Sequence, residues 1–253
     1  MIFVLAFKDA KSPVSEAYRT IRTNLQFSGV DKEVRVVEVT SSLPNEGKST
    51  VVASLAIIMA QAGKKVLLLD CDFRTLMQHK LLGLPNKGVS NCIARGEDWH
   101  EIIQHIDQEN LDILTSGPVA PNPSEILMSS RMQALLDTAR QEYDYILIDT
   151  PPIMPVTDAA VLSSRTDGVI VVVASGEDRP ELVKAALNRL TQGGANILGC
   201  VLNKVKVGGG KYGYGYGYGS HHYGYGYGYG YGYGYYYGGE EKEEEKQESG
   251  EAV

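Results

Sequence analysis

The chain has 253 residues, of which 43% are hydrophobic and 22% charged, and its formal net charge is −7. That is enough apolar material for one substantial globular core with an appendage, and the acidic balance offers no basic footprint, so no nucleic-acid partner is expected. Cys71, Cys92 and Cys200 stand singly, without the paired spacing of a disulfide framework or zinc site, which fits a reducing, cytoplasmic compartment.

The opening MIFVLAF is apolar but only seven residues long, and Lys8 and Asp9 follow it. It is too short for a membrane span or a signal peptide, so any membrane role is expected to come through a partner. Val14 to Gln26 reads as an amphipathic helix, with Ser12 as N-cap and Pro13 in the first turn. Beyond it, strands are expected at Val34 to Val39, Val66 to Leu69, Leu111 to Leu114, Ile146 to Ile148, Val169 to Ala174 and Ile197 to Asn203. Helices are expected at Lys48 to Ala62, as a pair from Ser124 to Glu142 across Ser129-Ser130, at Ala159 to Ser164, and at Pro180 to Gln192. The alternation predicts a doubly wound α/β domain with a mostly parallel sheet. The expected organisation is an N-terminal segment and helix over 1–30, the α/β domain over 31–207, and a tail over 208–253.

The most specific signal is VEVTSSLPNEGKST, a strand entering a loop that closes on Gly47-Lys48-Ser49 and opens a helix. In that context backbone N–H groups and a helix N-terminus face phosphates, Lys48 reaches the β- and γ-oxygens, and the Ser49 hydroxyl holds Mg²⁺. Pro44, Asn45, Glu46, Gly47, Lys48, Ser49 and Thr50 are the expected nucleotide-binding run, although Ser42 stands where the usual pattern begins with Gly. Two more runs end strands on acids: VLLLDCDFR, with Asp70, Asp72 and Arg74, and DYILIDTPP, with Asp149. Carboxylates at strand ends beside a phosphate loop can ligate Mg²⁺, and a spare one can take a proton from an attacking hydroxyl. Each aspartate alone has a plainer reading as the cap of a turn or helix, which the three motifs in order make less fitting.

These motifs in this order, with EAYRTIR ahead of them and a terminal tyrosine cluster behind, resemble the bacterial protein-tyrosine kinases of capsule and exopolysaccharide synthesis. The resemblance runs from Ser12 to Lys206 by motif. It implies a P-loop fold of the deviant-Walker type, with Lys48 and Ser49 in Walker A, Asp70 and Asp72 in Walker A′, and Asp149 in Walker B. It further implies ATP and Mg²⁺, with Asp70 as base toward tyrosine, Ser49 and Asp72 as metal ligands, and Asp149 ligating through water. Glu16, Arg19 and Arg22 match an element implied to join subunits into a ring, an octamer in the family. A separate transmembrane activator of the polysaccharide co-polymerase type, a cognate phosphotyrosine phosphatase and a place at the inner face of the membrane are implied as well.

Apart from the resemblance, Glu16, Arg19 and Arg22 could simply be a solvated helix face with ion pairs of about 0.5 kcal/mol or less. Asn203 ends the last strand and either reaches a nucleotide base or is a strand-ending turn residue. Division-site and partition ATPases are the alternative class, but they carry a lysine early in the phosphate loop where this chain has Leu43. A Tyr/Gly structural protein would need no phosphate loop. His79, His100 and His105 fall in separate polar helical patterns, and His221-His222 interrupt the tail, so no metal site is expected of them. Trp99 reads as a helix-packing residue, and Pro121-Asn122-Pro123-Ser124-Glu125 as a loop followed by an N-capped helix.

Thirteen of the sixteen tyrosines lie between Lys211 and Gly239: Tyr212, Tyr214, Tyr216, Tyr218, Tyr223, Tyr225, Tyr227, Tyr229, Tyr231, Tyr233, Tyr235, Tyr236 and Tyr237. Glycine at every second position disfavours a helix by about 1 kcal/mol each, and the segment cannot bury a core, so it is expected to be disordered. A flexible stretch of that length spans roughly 30 Å, about the size of a small domain, which suits the thirteen as phosphorylation sites for a neighbouring subunit. The glutamate-rich end after them reads as solubilising.

Overall fold

The computed structural model describes residues 12–28, 33–120 and 122–205, all within the first of two units, Met1–Val207. MIFVLAF and the tyrosine cluster from Tyr212 to Tyr237 lie outside the described residues.

Helix α1 is Pro13–Ser28, and it starts on its cap: the Ser15 N–H donates to Ser12 Oγ at 3.1 Å, pairing a donor that the first turn leaves free. Strand β1 (Val36–Ser41) leads through the phosphate loop to helix α2 (Lys48–Gln61) and strand β2 (Val66–Asp70). Next come the short helix α3 (Gln78–Leu82), one π-helical turn (Asn91–Arg95), helix α4 (Trp99–Ile102), strand β3 (Gln104–His105) and strand β4 (Leu111–Leu114). Helices α5 (Pro123–Met128) and α6 (Ser130–Glu142) precede strand β5 (Tyr145–Asp149). The described fold closes with helix α7 (Asp158–Ser163), strand β6 (Gly168–Ala174), helix α8 (Pro180–Gln192) and strand β7 (Ile197–Asn203).

These strands form one sheet in the order β3-β4-β2-β5-β1-β6-β7. All pairs are parallel except β3 with β4. Connections run away from β1 in both directions, which puts the loop after β1 at the switch point where such sheets bind ligands. Alternate residues feed opposite faces: Val37, Val39, Leu68 and Leu147 pack with α2, while Val36, Leu67, Leu69, Ile146 and Ile148 pack with α6. Helix α2 is apolar all round and buried from Val51 to Ala60. It needs no polar stripe, because the sheet covers one side and Tyr18, Ile21 and Leu25 of α1 cover the other.

The expected strands and long helices are present with small shifts. Strand β1 starts two residues late and runs on to Ser41, because Thr40 and Ser41 pair with Val171 and Val172 of β6. The helix pair divides at Ser129, whose hydroxyl accepts from the Met132 N–H at 3.1 Å. Three features differ from expectation. His105 lies on β3, bonded to Asp112 Oδ1 at 2.7 Å, not on a helix; two residues of strand are too few to leave a periodic signal. Helix α5 takes no side-chain cap from Asn122, whose amide turns to Glu125 instead. The short elements between β2 and β4 were not expected, being held by turns and buried side chains such as Trp99 rather than by a repeating pattern.

Candidate active site

Strand register brings the acids together. Asp70 is paired directly with Asp149, and Asp149 also faces Val39 of β1, so both carboxylates leave the sheet at the edge where α2 begins. Asp70, Asp72 and Asp149 are fully buried. Lys48, at the first position of α2, puts Nζ 2.6 Å from Asp72 Oδ2, 3.5 Å from Asp149 Oδ1 and 3.3 Å from Ser49 Oγ.

Burial sets the proton affinities, and Lys48 divides the acids into two kinds. Asp70 is pushed up to about 8 by burial, reinforced by the charges of Asp149 and Asp72. Asp149 is raised by burial too, although Lys48 opposes the shift. For Asp72 burial is outweighed by Lys48 and by hydrogen bonds from Thr75, leaving it below the usual carboxylate range. Burial would lower the Lys48 ammonium, but Asp149 and Asp72 hold it above its ordinary value.

Loop conformation explains Gly47. Its φ is +91°, and a Cβ there would stand 2.3 Å from Asn203 Nδ2. Asn203 is that close because Nδ2 donates to the Glu46 carbonyl at 2.9 Å, tying the end of β7 to the phosphate loop. The Glu46 carboxylate turns back on the loop itself, accepting from the Ser42 and Leu43 N–H groups at 2.8 and 3.0 Å. Burial and the neighbouring Asp178 push Glu46 up to about 8. A Gly47→Ala chain therefore faces both an unfavourable backbone angle, worth about 1–3 kcal/mol, and a collision. ADP binding by calorimetry is expected to weaken about tenfold or more, with Asn203→Ala restoring only part of the loss; parental affinity in Gly47→Ala would contradict this.

A cleft of about 400 Å³ opens over the loop, lined by Pro44, Asn45, Gly47 to Thr50, Asp72, Arg74, Thr75, Met77, Pro151, Pro152, Pro155 and Val156. Asp72 faces it, whereas Asp70 lies behind, accepting from the backbone N–H groups of Asp72 and Gln78. Arg74 forms a two-point ion pair with the buried Asp158, at 2.9 and 3.2 Å, and Ser124 Oγ donates to the same carboxylate at 2.6 Å.

Two expectations concern residues away from the cleft. Glu16 and Arg19 pair at 2.8 Å on the outer side of α1, while half-buried Arg22 reaches the Ile58 carbonyl of α2 at 3.4 Å. The tyrosines expected to be phosphorylated lie outside the described residues. Sequence reasoning overlooked Gln78, fully buried at the start of α3 among all three motifs; it belongs to no motif and sits in a stretch without periodicity.

Comparison with known proteins agrees with this geometry. An AAA domain family matches residues 34–188. The chain is 41% identical over 205 residues to the tyrosine-protein kinase YwqD of Bacillus subtilis, covering 81% of this chain and 86% of that one. It is 39% identical over 198 residues to the putative tyrosine-protein kinase CapB of Staphylococcus aureus, covering 78% and 87%. Among solved structures, the kinase domain of the Escherichia coli tyrosine kinase ETK superposes with a TM-score of 0.79 at 37% identity, covering 85% of each chain.

Proposed function

The chain belongs to the bacterial protein-tyrosine kinase family, and on that footing we propose that it moves the γ-phosphoryl group of ATP onto the tyrosines of its own C-terminal cluster, between subunits of a ring. One observation carries the reading: at the N-terminus of α2 Lys48 meets the buried carboxylates of Asp72 and Asp149, with buried Asp70 behind them, beneath a cleft lined in part by apolar side chains.

Among the described residues no three His, Cys, Asp or Glu side chains are arranged to hold a metal by themselves. The Ser49 hydroxyl with the Asp72 and Asp149 carboxylates is a set of hard oxygens that suits Mg²⁺, an ion that takes one or two carboxylates and completes its shell with phosphates and water. When bound, Mg²⁺ supplies charge neutralisation at the β- and γ-phosphates. Loop N–H groups from Asn45 to Thr50 cradle those phosphates, with Lys48 as the mobile cation serving them, and Asn203 holds the loop in shape. The new phenolic O–P bond forms as the bridging P–O bond to ADP breaks, and the phenolic proton is assigned to Asp70, which lies behind the cleft-lining Asp72 and acts only in its ionised form. The phenol ring lies against Met77, Pro155 and Val156, a wall that a serine side chain would leave uncovered.

A tethered tail reaches a neighbour's cleft at an effective concentration on the order of millimolar, so little sequence selectivity is needed. Glu16, Arg19 and Arg22 form the subunit contact. No helix among the described residues is long and apolar enough to cross a membrane. A separate transmembrane activator holds the ring at the inner face of the membrane, where it regulates capsular or exopolysaccharide polymerisation and export. A phosphotyrosine phosphatase resets the tail. Each phosphate adds about 1.5 to 2 negative charges, so a filled cluster drives the ring apart.

A mixing experiment tests this. Lys48→Met chains with intact tails are incubated with Mg·ATP and parental chains truncated after Gly210. Phosphotyrosine mapped by mass spectrometry to Tyr212 through Tyr237 of the Lys48→Met chains is the expected result, with the assembly falling to smaller species by light scattering as the tail fills. Free phosphate without phosphotyrosine would point to an ATPase, and an unchanged assembly mass would remove the charge-driven release.

A further inference from the structure

Gln78 is fully buried, and it touches every motif of the site. Its Nε2 donates to the Ser49 carbonyl at 3.0 Å and to Asp149 Oδ2 at 2.8 Å. Its backbone N–H donates to Asp70 Oδ2 at 3.2 Å. The amide orientation is dictated by these neighbours: both hydrogens of Nε2 meet acceptors, and turning the group over would set its oxygen against a carbonyl and a carboxylate. The cost of that choice is visible, because Oε1 is buried without a hydrogen-bond partner. A polar side chain left half satisfied in a buried site is held there for the bonds that it does make.

One of those bonds falls on Asp149 Oδ2, while Lys48 approaches the other oxygen, Oδ1. Lys48 must serve the phosphates during turnover, and Gln78, anchored to the first turn of α2 through Ser49, then keeps the Asp149 carboxylate aimed. We propose that Gln78 is a positioning residue that orients Asp149 toward the catalytic divalent cation and locks the three motifs in register. The inference rests on the metal-holding role given to Asp149 above. Groups that orient a metal-binding carboxylate typically contribute 10–100-fold to metal affinity or activity.

The test uses the full chain with Gln78→Met and Gln78→Leu, which keep the bulk and remove the donors, and with Asp149→Asn as reference. Mn²⁺ binding in the presence of ADP is measured by electron paramagnetic resonance, ADP binding in EDTA by calorimetry, and folding by thermal melts. Folded Gln78 variants are expected to bind Mn²⁺ about 10–100-fold more weakly, with ADP affinity in EDTA within about twofold of the parent. Phosphotransfer should recover part of its rate at high Mg²⁺. Parental Mn²⁺ affinity in a folded Gln78 variant would overturn the proposal, and so would loss of the fold in both variants, which would make Gln78 a core residue only. If Asp149→Asn itself retains Mn²⁺ affinity, the role of Asp149 fails first, and the proposal with it.

Discussion

Combining Lys48→Met with Asp72→Asn is expected to restore most of the thermal stability that Lys48→Met alone loses, and none of the phosphotransfer. The Lys48 ammonium sits 2.6 Å from Asp72 and 3.5 Å from Asp149, and both carboxylates are fully buried. Removing the cation leaves two like charges in a dry site, and breaking a buried pair on one side costs about 3–5 kcal/mol. Neutralising Asp72 removes one of the orphaned charges and its repulsion with Asp149, so the double variant should melt well above Lys48→Met. The rate behaves differently, because the charge aimed at the phosphates is absent in both variants; a loss of at least about 10²–10³-fold is expected in each. Melting curves with phosphotyrosine yield check this together. A Lys48→Met chain that melts with the parent would show that Lys48 does not compensate the acids in the folded protein.

A second expectation concerns Glu38, at the centre of β1 and fully buried. Its Oε1 accepts from the Thr150 hydroxyl at 2.9 Å, while Oε2 has no partner. Burial pushes this carboxyl well above 4.5, with the Thr150 bond opposing only in part. A carboxyl whose folded value is raised gives stability that is complete below the unfolded value and is lost as pH climbs through the folded value. Glu38→Gln keeps the Thr150 bond and removes the titration, so the two chains should be alike near pH 4.5. Above that the variant should gain about 1.4 kcal/mol per pH unit until the folded value is passed. Urea unfolding between pH 5 and pH 8 measures the difference, and a constant gap across that range would sink the argument.

Much of the site could be read from sequence because each motif is a short local pattern attached to a strong hydrophobic run. Four aliphatic residues before Asp70, and the matching run before Asp149, placed both acids at strand ends, and a parallel sheet then puts all such ends on one edge. What stayed hidden depends on contacts between distant segments. Arg74 meets Asp158 across 84 residues, and Asn203 meets the Glu46 carbonyl across 157. Neither pairing leaves a trace in local spacing. Gln78 was concealed for a related reason: helix α3 has five residues, too few to show a face, and the acceptors of its amide come from two other elements. Asn203 had two readings from sequence, nucleotide contact or turn residue, and its bond to the loop gives it a third task that neither anticipated.

Helix α1 has a consequence for how an assembly could come apart. Tyr18 and Leu25 of α1 help to cover an α2 that has no polar side of its own, while Glu16 and Arg19 face outward. The helix is thus the outer skin of the core and the bearer of the charges assigned to the subunit contact. It cannot peel away without wetting α2, so in the proposed assembly separation occurs beyond it, with each subunit keeping its helix. On the subunit contact proposed above, the packing of α1 on α2 is apolar while the contact between subunits is ionic, so raising ionic strength should loosen an assembly while leaving each helix in place.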